Sequence, residues 1–292
     1  MRYLIFVFLF FSFTLQAQIK LNELPQNFSQ RKKNLLIVES SSYSLALVGL
    51  NQLWYKGYKK SSFHFINDNN SWLQMDKFGH LTTSYFVGVL GIKTYQWAGF
   101  TRKQSIWIGG LTGTFFQSAV EILDGFSEKW GASSGDLVAN SLGSLLAISQ
   151  QLYWDEQKVL LKYSFNPSEI SNTNPQLFGN NLIQKSLKDY NGQTYWLCFN
   201  FEDVFNSSSY FLPKWLNLAF GYGADNMYSD AYSLSHELGY RQFFLSLDIN
   251  TDELNISNKF VKNLVNLFGF IKLPMPTLEY SQGKLIFHNL YY

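Results

Sequence analysis

Hydrophobic and polar positions alternate with two different rhythms along the 292-residue chain. Residues 35–54, 80–100, 105–123 and 136–154 form long apolar segments of about 20 residues each, the length of a long core helix or of a thin membrane span. Gly88, Gly91, Gly109, Gly110, Gly113, Ala139, Ser141, Gly143, Ser144 and Ala147 are spread through them, and residues this small let helix backbones approach closely. Glu39, Lys93, Glu121 and Asn140 interrupt the segments, so spanning helices and helices merely buried in a bundle both remain open. Four helices is the simplest count.

From residue 156 onward the apolar positions alternate in short runs. Residues 159–165, 194–201, 216–224, 239–249, 277–280 and 284–292 are aromatic and β-branched between turn signals and are expected to be strands. In 216–223, Leu216, Leu218, Phe220 and Tyr222 fall on one face and Asn217, Ala219, Gly221 and Gly223 on the other; the large face is expected to be the packed one. Asn191-Gly192 and Gln282-Gly283 read as turns. Residues 258–270 have the spacing of a short amphipathic helix, with Pro274 and Pro276 to stop it. The expected fold is therefore α+β, a four-helix and possibly membrane-embedded bundle followed by an antiparallel region of about six strands, divided at residues 18–155 and 156–292. Tyr292 at the end of an alternating strand also suits an outer-membrane barrel, although six strands fall short of the eight of the smallest ones.

Composition narrows the function classes. Hydrophobic residues make up 46% of the chain, with 27 Phe, 18 Tyr and 8 Trp, enough for a large core, and a net charge of +2 without a long basic run argues against nucleic acid as a partner. Residues 1–17 read as a signal peptide, with Arg2, an apolar run from Tyr3 to Phe13 and the small Ala17, so the mature chain is expected to begin at Gln18 and to be exported to the bacterial cell envelope, periplasmic or membrane-associated. Cys198 is the single cysteine, which excludes an intramolecular disulfide and reads as a buried, inert thiol in an aromatic run.

Polar groups that carry chemistry cluster at three places. Asp76, Lys77 and His80 enter the second apolar segment, Glu121 and Asp124 close the third, and Asp136, Asn140 and Gly143 form one stripe on the fourth. Carboxylates and an imidazole in apolar helices are costly unless they pair, face water or hold a cation. Asp76, His80, Glu121, Asp124 and Asp136 would suit a divalent metal: the oxygen donors favour magnesium, calcium or manganese, and the imidazole admits zinc. As an enzyme the set would use His80 or Glu121 as base with Asp136, and Lys77 would stabilise an oxyanion. The plain structural alternatives are a Ser133 or Ser134 helix cap ahead of Asp136, a core histidine, and a buried Glu121–Lys77 bridge.

These residues, in this order and with apolar helices between them, resemble the YfiM-like predicted periplasmic lipoproteins, a family of unknown function, over roughly residues 45–150. The set is more distantly similar to VanZ-like membrane proteins. The resemblance implies an envelope protein with a small helical bundle whose signature positions are Asp76, Lys77, His80, Glu121, Asp124, Asp136 and Asn140. This chain departs from the pattern in lacking a lipidation cysteine and in carrying a C-terminal region that looks like an extension in relatives from Bacteroidetes-type bacteria. Within it Tyr190, Tyr195, Trp196, Trp215 and Tyr222 are candidates for a glycan or lipid platform.

Three functions follow: a non-catalytic envelope protein with a buried polar or cation-binding network and a β region that meets lipid, glycan or a protein partner; a membrane-proximal hydrolase acting on lipid or cell-wall precursors; and an outer-membrane barrel.

Overall fold

The glycines of the apolar segments mark the places where helix backbones touch. The structure, a computed structural model, describes residues 28–55, 58–200, 203–204, 213–229 and 238–292; the expected signal peptide and the start at Gln18 lie outside them. The long helices are α1 (Phe28–Leu50), α2 (Met75–Trp97), α3 (Gly110–Gly125) and α4 (Ser134–Tyr153). A Cβ placed on Gly91 would lie 2.0 Å from the Gly109 carbonyl oxygen, one on Gly113 2.1 Å from that of Ser84, and one on Gly143 2.1 Å from that of Leu81. Backbone thus meets backbone at all three crossings of α2 with its neighbours, and Ala147 and Ile148 of α4 fill the space beside Gly88 and Gly110.

Two expectations about this region are corrected. The tight bundle has three helices, α2, α3 and α4. Helix α1 lies beside it through a Tyr95 hydroxyl that donates to Glu39 Oε2 (2.9 Å) and a Tyr43–Phe116 ring contact. Polar residues recur on every side of α1, and none of its described side chains is buried. Shorter helices, among them α5 (Leu182–Lys188) and α6 (Lys259–Leu267), bring the total above four. No helix among the described residues is long and apolar enough to cross a membrane, because the polar interruptions recur inside each segment.

The alternating half forms the six antiparallel strands expected: β3 (Val159–Phe165), β4 (Gln193–Phe199), β5 (Leu216–Asp225), β6 (Tyr240–Ile249), β7 (Met275–Ser281) and β8 (Lys284–Tyr291), in simple sequential order. Gln282 and Gly283, both with positive φ, turn β7 into β8. A separate two-residue parallel ladder joins β1 (Phe65–Ile66) to β2 (Ala132–Ser133). Helix α6 starts at its Asn258 cap and ends at Leu267, before either proline. Pro276 instead sits within β7, where the pairing with β8 shifts register.

The faces of the sheet are reversed from expectation. Asn217, Ala219, Gly221 and Gly223 are the buried side of β5, and Phe220 is 47% exposed. Alternation reveals that a strand has two unlike faces; which of them is covered depends on the curl of the sheet. Here the small residues line the concave side with Trp196, Cys198 and Phe244. Tyr291 of β8 closes over it, its hydroxyl 3.1 Å from Thr194 Oγ1 and its ring 4.5 Å from that of Phe244. The edge of β3 is covered by Phe270–Lys272, whose backbone bonds both sides of Tyr163. No strand covers the outer edge of β8 among the described residues, so the sheet is strongly curled but open.

The two halves share a core. Trp72, Leu73 and Met75 at the start of α2 pack with Phe178, Tyr195, Ala224 and Met227, so the sheet positions the segment that begins the candidate site.

Candidate functional site

Helix α2 is launched from a strained turn. Trp72, Leu73 and Gln74 have φ of 50°, 49° and 69°, a left-handed run that costs roughly 1–2 kcal/mol per residue outside glycine. The buried Trp72 and Leu73 side chains and three hydrogen bonds offset that strain: Tyr222 hydroxyl to the Leu73 carbonyl, Arg241 Nη2 to Gln74 Oε1, and Gln74 Nε2 to the Asn69 carbonyl. The turn aims Asp76, Lys77 and His80 across the bundle toward α3 and α4.

Lys77 is the hub of one half of the site. Its ammonium lies 2.7 Å from Asp68 Oδ1, 2.8 Å from Asp136 Oδ1 and 3.6 Å from Asp76 Oδ2. Ser133 caps α4 by accepting the Asp136 amide, as the plain reading expected, and its hydroxyl also donates to Asp68 Oδ1 (2.6 Å). The expected Glu121–Lys77 bridge does not form. Glu121 is instead held by the Ser133 amide, which donates to its Oε2 at 2.8 Å through the β1–β2 ladder.

His80 is the hub of the other half. Its Nδ1 lies 3.0 Å from Asn140 Oδ1, which also accepts from the Ser84 hydroxyl at 3.2 Å, and the Gln117 amide stands 3.3 Å away. A proton on Nδ1 donated to Asn140 leaves the Nε2 lone pair facing Asp76 Oδ1 (3.9 Å) and Glu121 Oε1 (3.7 Å). The stripe of Asp136, Asn140 and Gly143 does face α2, meeting Lys77, His80 and the Leu81 backbone in turn.

One ligand atom each from Asp76, His80 and Asp136 lie within 4.8 Å of one another. Glu121 flanks this triad through His80, its side chain 3% exposed, and its Oε1 has no hydrogen-bond partner among the described residues. Asn140 Nδ2 is likewise buried without one. Asp124, the fifth metal candidate, is turned aside to accept the Tyr55 hydroxyl at 2.7 Å. A quarter of the Asp76 side chain remains exposed.

Carboxylates outnumber cations here, and the proton affinities reflect it. Burial lifts Glu121 to about 8, against the pull of His80, and lifts Asp124 to about 7 and Asp136 to about 6. Burial opposes ionisation of Asp76 too, but His80, Lys77 and the Tyr190 hydrogen bond hold it below the ordinary carboxylate value. Burial also disfavours a charged His80, and Asp76, Asp136 and Glu121 outweigh it, raising that imidazole.

Sequence reasoning missed Asp68, Ser133 as a joint between Asp68 and Glu121, Tyr55, and Tyr190, whose hydroxyl donates to Asp76 Oδ1 at 2.5 Å. Asp68 stands in a polar loop without helical spacing, and Tyr190 is 114 positions from its partner, so periodicity carried no signal for either. The five platform aromatics do not form one surface. Tyr190, Tyr195 and Trp196 are turned into the protein, Tyr222 stacks on Phe78, and Trp215 is exposed apart from them. Cys198 is buried with its thiol pushed up, as an inert core cysteine should be.

Among families of known proteins, residues 63–151 match the model described as predicted periplasmic lipoprotein (DUF2279). The match spans Asp68, Asp76, Lys77, His80, Glu121, Asp124, Ser133, Asp136 and Asn140 but not Tyr55 or Tyr190, and it agrees with an exported protein of the cell envelope. No curated protein and no solved structure matches the chain.

Proposed function

We propose that this envelope protein binds a divalent cation between α2 and α4, through Asp76, His80 and Asp136, with Glu121 closing the site. The observation that carries the reading is the buried Glu121 Oε1, without a hydrogen bond among the described residues and only 3.7 Å from His80 Nε2, beside three converging donor atoms. An orphaned carboxylate oxygen costs several kilocalories in an apolar bundle unless it binds a proton or a cation. Two or three carboxylates with one imidazole suit manganese or zinc better than calcium, which takes more oxygens. Asn140 fixes the imidazole as an outer partner commonly does for a metal ligand. Lys77 is committed to Asp68 and Asp136 and tunes the charge of the site.

The test is metal content and calorimetric titration of the purified chain with zinc or manganese chloride, beside His80→Ala and Asp136→Asn. Stoichiometric binding lost in both variants supports the reading. No uptake by the wild type, with strong destabilisation in both variants, would make the cluster a structural polar network.

A second reading, hydrolysis of a lipid or cell-wall precursor, draws on the exposed quarter of Asp76 and on a Glu121 carboxyl that keeps its proton at neutral pH beside His80. It requires turnover that Glu121→Gln abolishes in a folded protein.

A further inference from the structure

The curled sheet is inside out for a protein surrounded by water. Its concave side holds Lys162 and Asp248, 1% and 0% exposed and 2.7 Å apart. With them lie the buried Lys272, 4.4 Å over the Trp196 ring, and the pair Glu279–His288. Its convex side is apolar apart from Arg241, which lies at the end of β6 nearest the helices and is held by the Tyr222 hydroxyl and Gln74. One cross-strand row reads Leu197, Phe220, Leu245, Leu278, Phe287 over β4 to β8, and these five are between 38% and 65% exposed. The next row toward the helices is aromatic over its first four strands, Tyr195, Tyr222, Phe243 and Tyr280. Helix α2 covers its beginning through Phe78, while Phe243 and Tyr280 are half exposed.

We propose that this convex face, from β4 to β8, is buried in the apolar layer of a lipid bilayer. Three features select lipid over a protein partner. Neither row carries a charged side chain over five strands, whereas a non-obligate protein interface is depleted of charge only at its centre and is as a whole about as polar as the rest of a surface. An apolar row bordered by an aromatic one reproduces the change from hydrocarbon to headgroup region, where Tyr settles. The connection between β6 and β7 adds α6, whose Phe260, Val261 and Leu264 are exposed beside Lys259 and Lys262; an amphipathic helix with an uncovered apolar face and lysines suits anionic headgroups. Lys284, at the tip of the β7–β8 hairpin, adds a further positive charge. The six strands of the described residues, with an open β8 edge, do not make a closed spanning barrel, so on this proposal the face docks into the membrane and the helical site stays outside it.

The experiment is flotation of the full chain with vesicles of phosphatidylethanolamine and phosphatidylglycerol, beside Leu245→Glu and Phe287→Glu, with circular dichroism and size-exclusion light scattering of each. The wild type is expected to float, and each folded variant to lose at least about tenfold in partitioning. Phe287 is on the exposed edge strand, so its variant keeps the test decisive if Leu245→Glu fails to fold. A wild type that does not float, or folded variants that float unchanged, overturns the proposal. So does a lipid-free dimer that the variants convert to monomer, which would make the face an interface between copies. The wild type should float equally with and without chelator, so the outcome is independent of the cation site.

Discussion

Glu121 Oε1 stands 3.7 Å from His80 Nε2, near enough for electrostatic coupling and too far for a hydrogen bond. The carboxylate is anchored at its other oxygen by the Ser133 amide at 2.8 Å. A group fixed at one oxygen and without a hydrogen bond at the other among the described residues has a strongly environment-dependent proton affinity, and the pH dependence of stability should record it.

In the metal-free protein, Glu121 rises from 4.5 to about 8 on folding and Asp124 from 3.8 to about 7. Each therefore binds more protons folded than unfolded across its window, and stability falls as pH rises through it, by at most about 1.4 kcal/mol per pH unit per group. His80, raised above 6.5, acts in the same direction over the upper part of that range. Thermal melts from pH 5 to pH 8 should show a falling Tm without metal and a flatter profile with zinc or manganese. Glu121→Gln should reduce the slope. A Tm that rises over this range would contradict the assigned protonation of Glu121.

Asn140 is predicted to act through His80. Its Oδ1 accepts from the imidazole and from Ser84 at 3.0 and 3.2 Å, so Asn140→Ala removes no metal donor but frees the ring to rotate. Loss of such an outer partner typically weakens metal affinity about 10- to 100-fold. Calorimetric titration of a folded Asn140→Ala protein measures this, and unchanged affinity would remove Asn140 from the site.

Much of this site was legible because a helix repeats every three to four residues: Asp76 with His80, Glu121 with Asp124, and Asp136 with Asn140 all share faces. Spacing could not rank them. Asp124 turns to Tyr55 and Lys77 to Asp68, partners that come from loops and from a helix end without periodicity. Six strands were legible from alternation, yet the covered face of β5 was assigned backwards, because alternation separates two faces while the curl of the sheet, set by contacts as distant as Thr194 with Tyr291, decides which of them is enclosed. The role of α1 was misjudged for a related reason: length and apolar content resemble those of a bundle helix, while burial is decided by what packs against it.

The glycine crossings should be intolerant of a single methyl group. A Cβ at position 143 would meet the Leu81 carbonyl at 2.1 Å and one at 113 that of Ser84 at 2.1 Å, contacts with backbone that no rotamer relieves. Gly143→Ala and Gly113→Ala should each destabilise by about 1–3 kcal/mol or more, although alanine ordinarily favours a helix. Chemical denaturation compares them with Gly49→Ala, where an added Cβ meets nothing within 4 Å. Equal effects at all three positions would mean that the helices pack differently.

The Lys162–Asp248 pair tests the inverted sheet from within. Lys162 reaches Asp248 Oδ2 and the Ile249 carbonyl, each at 2.7 Å, and both side chains are almost wholly buried. Removing one member leaves a charge stranded in the concave core, so Lys162→Met should cost about 3–5 kcal/mol, while the double change with Asp248→Leu should recover most of that loss. A double-mutant cycle by urea denaturation gives the coupling. If Lys162→Met alone is harmless, water reaches Asp248 and the concave side is not the sealed interior that an apolar exterior requires. If it is severe and the double variant recovers, the Lys162–Asp248 pair is sequestered on the inside of the curl, as the proposed lipid-facing exterior expects.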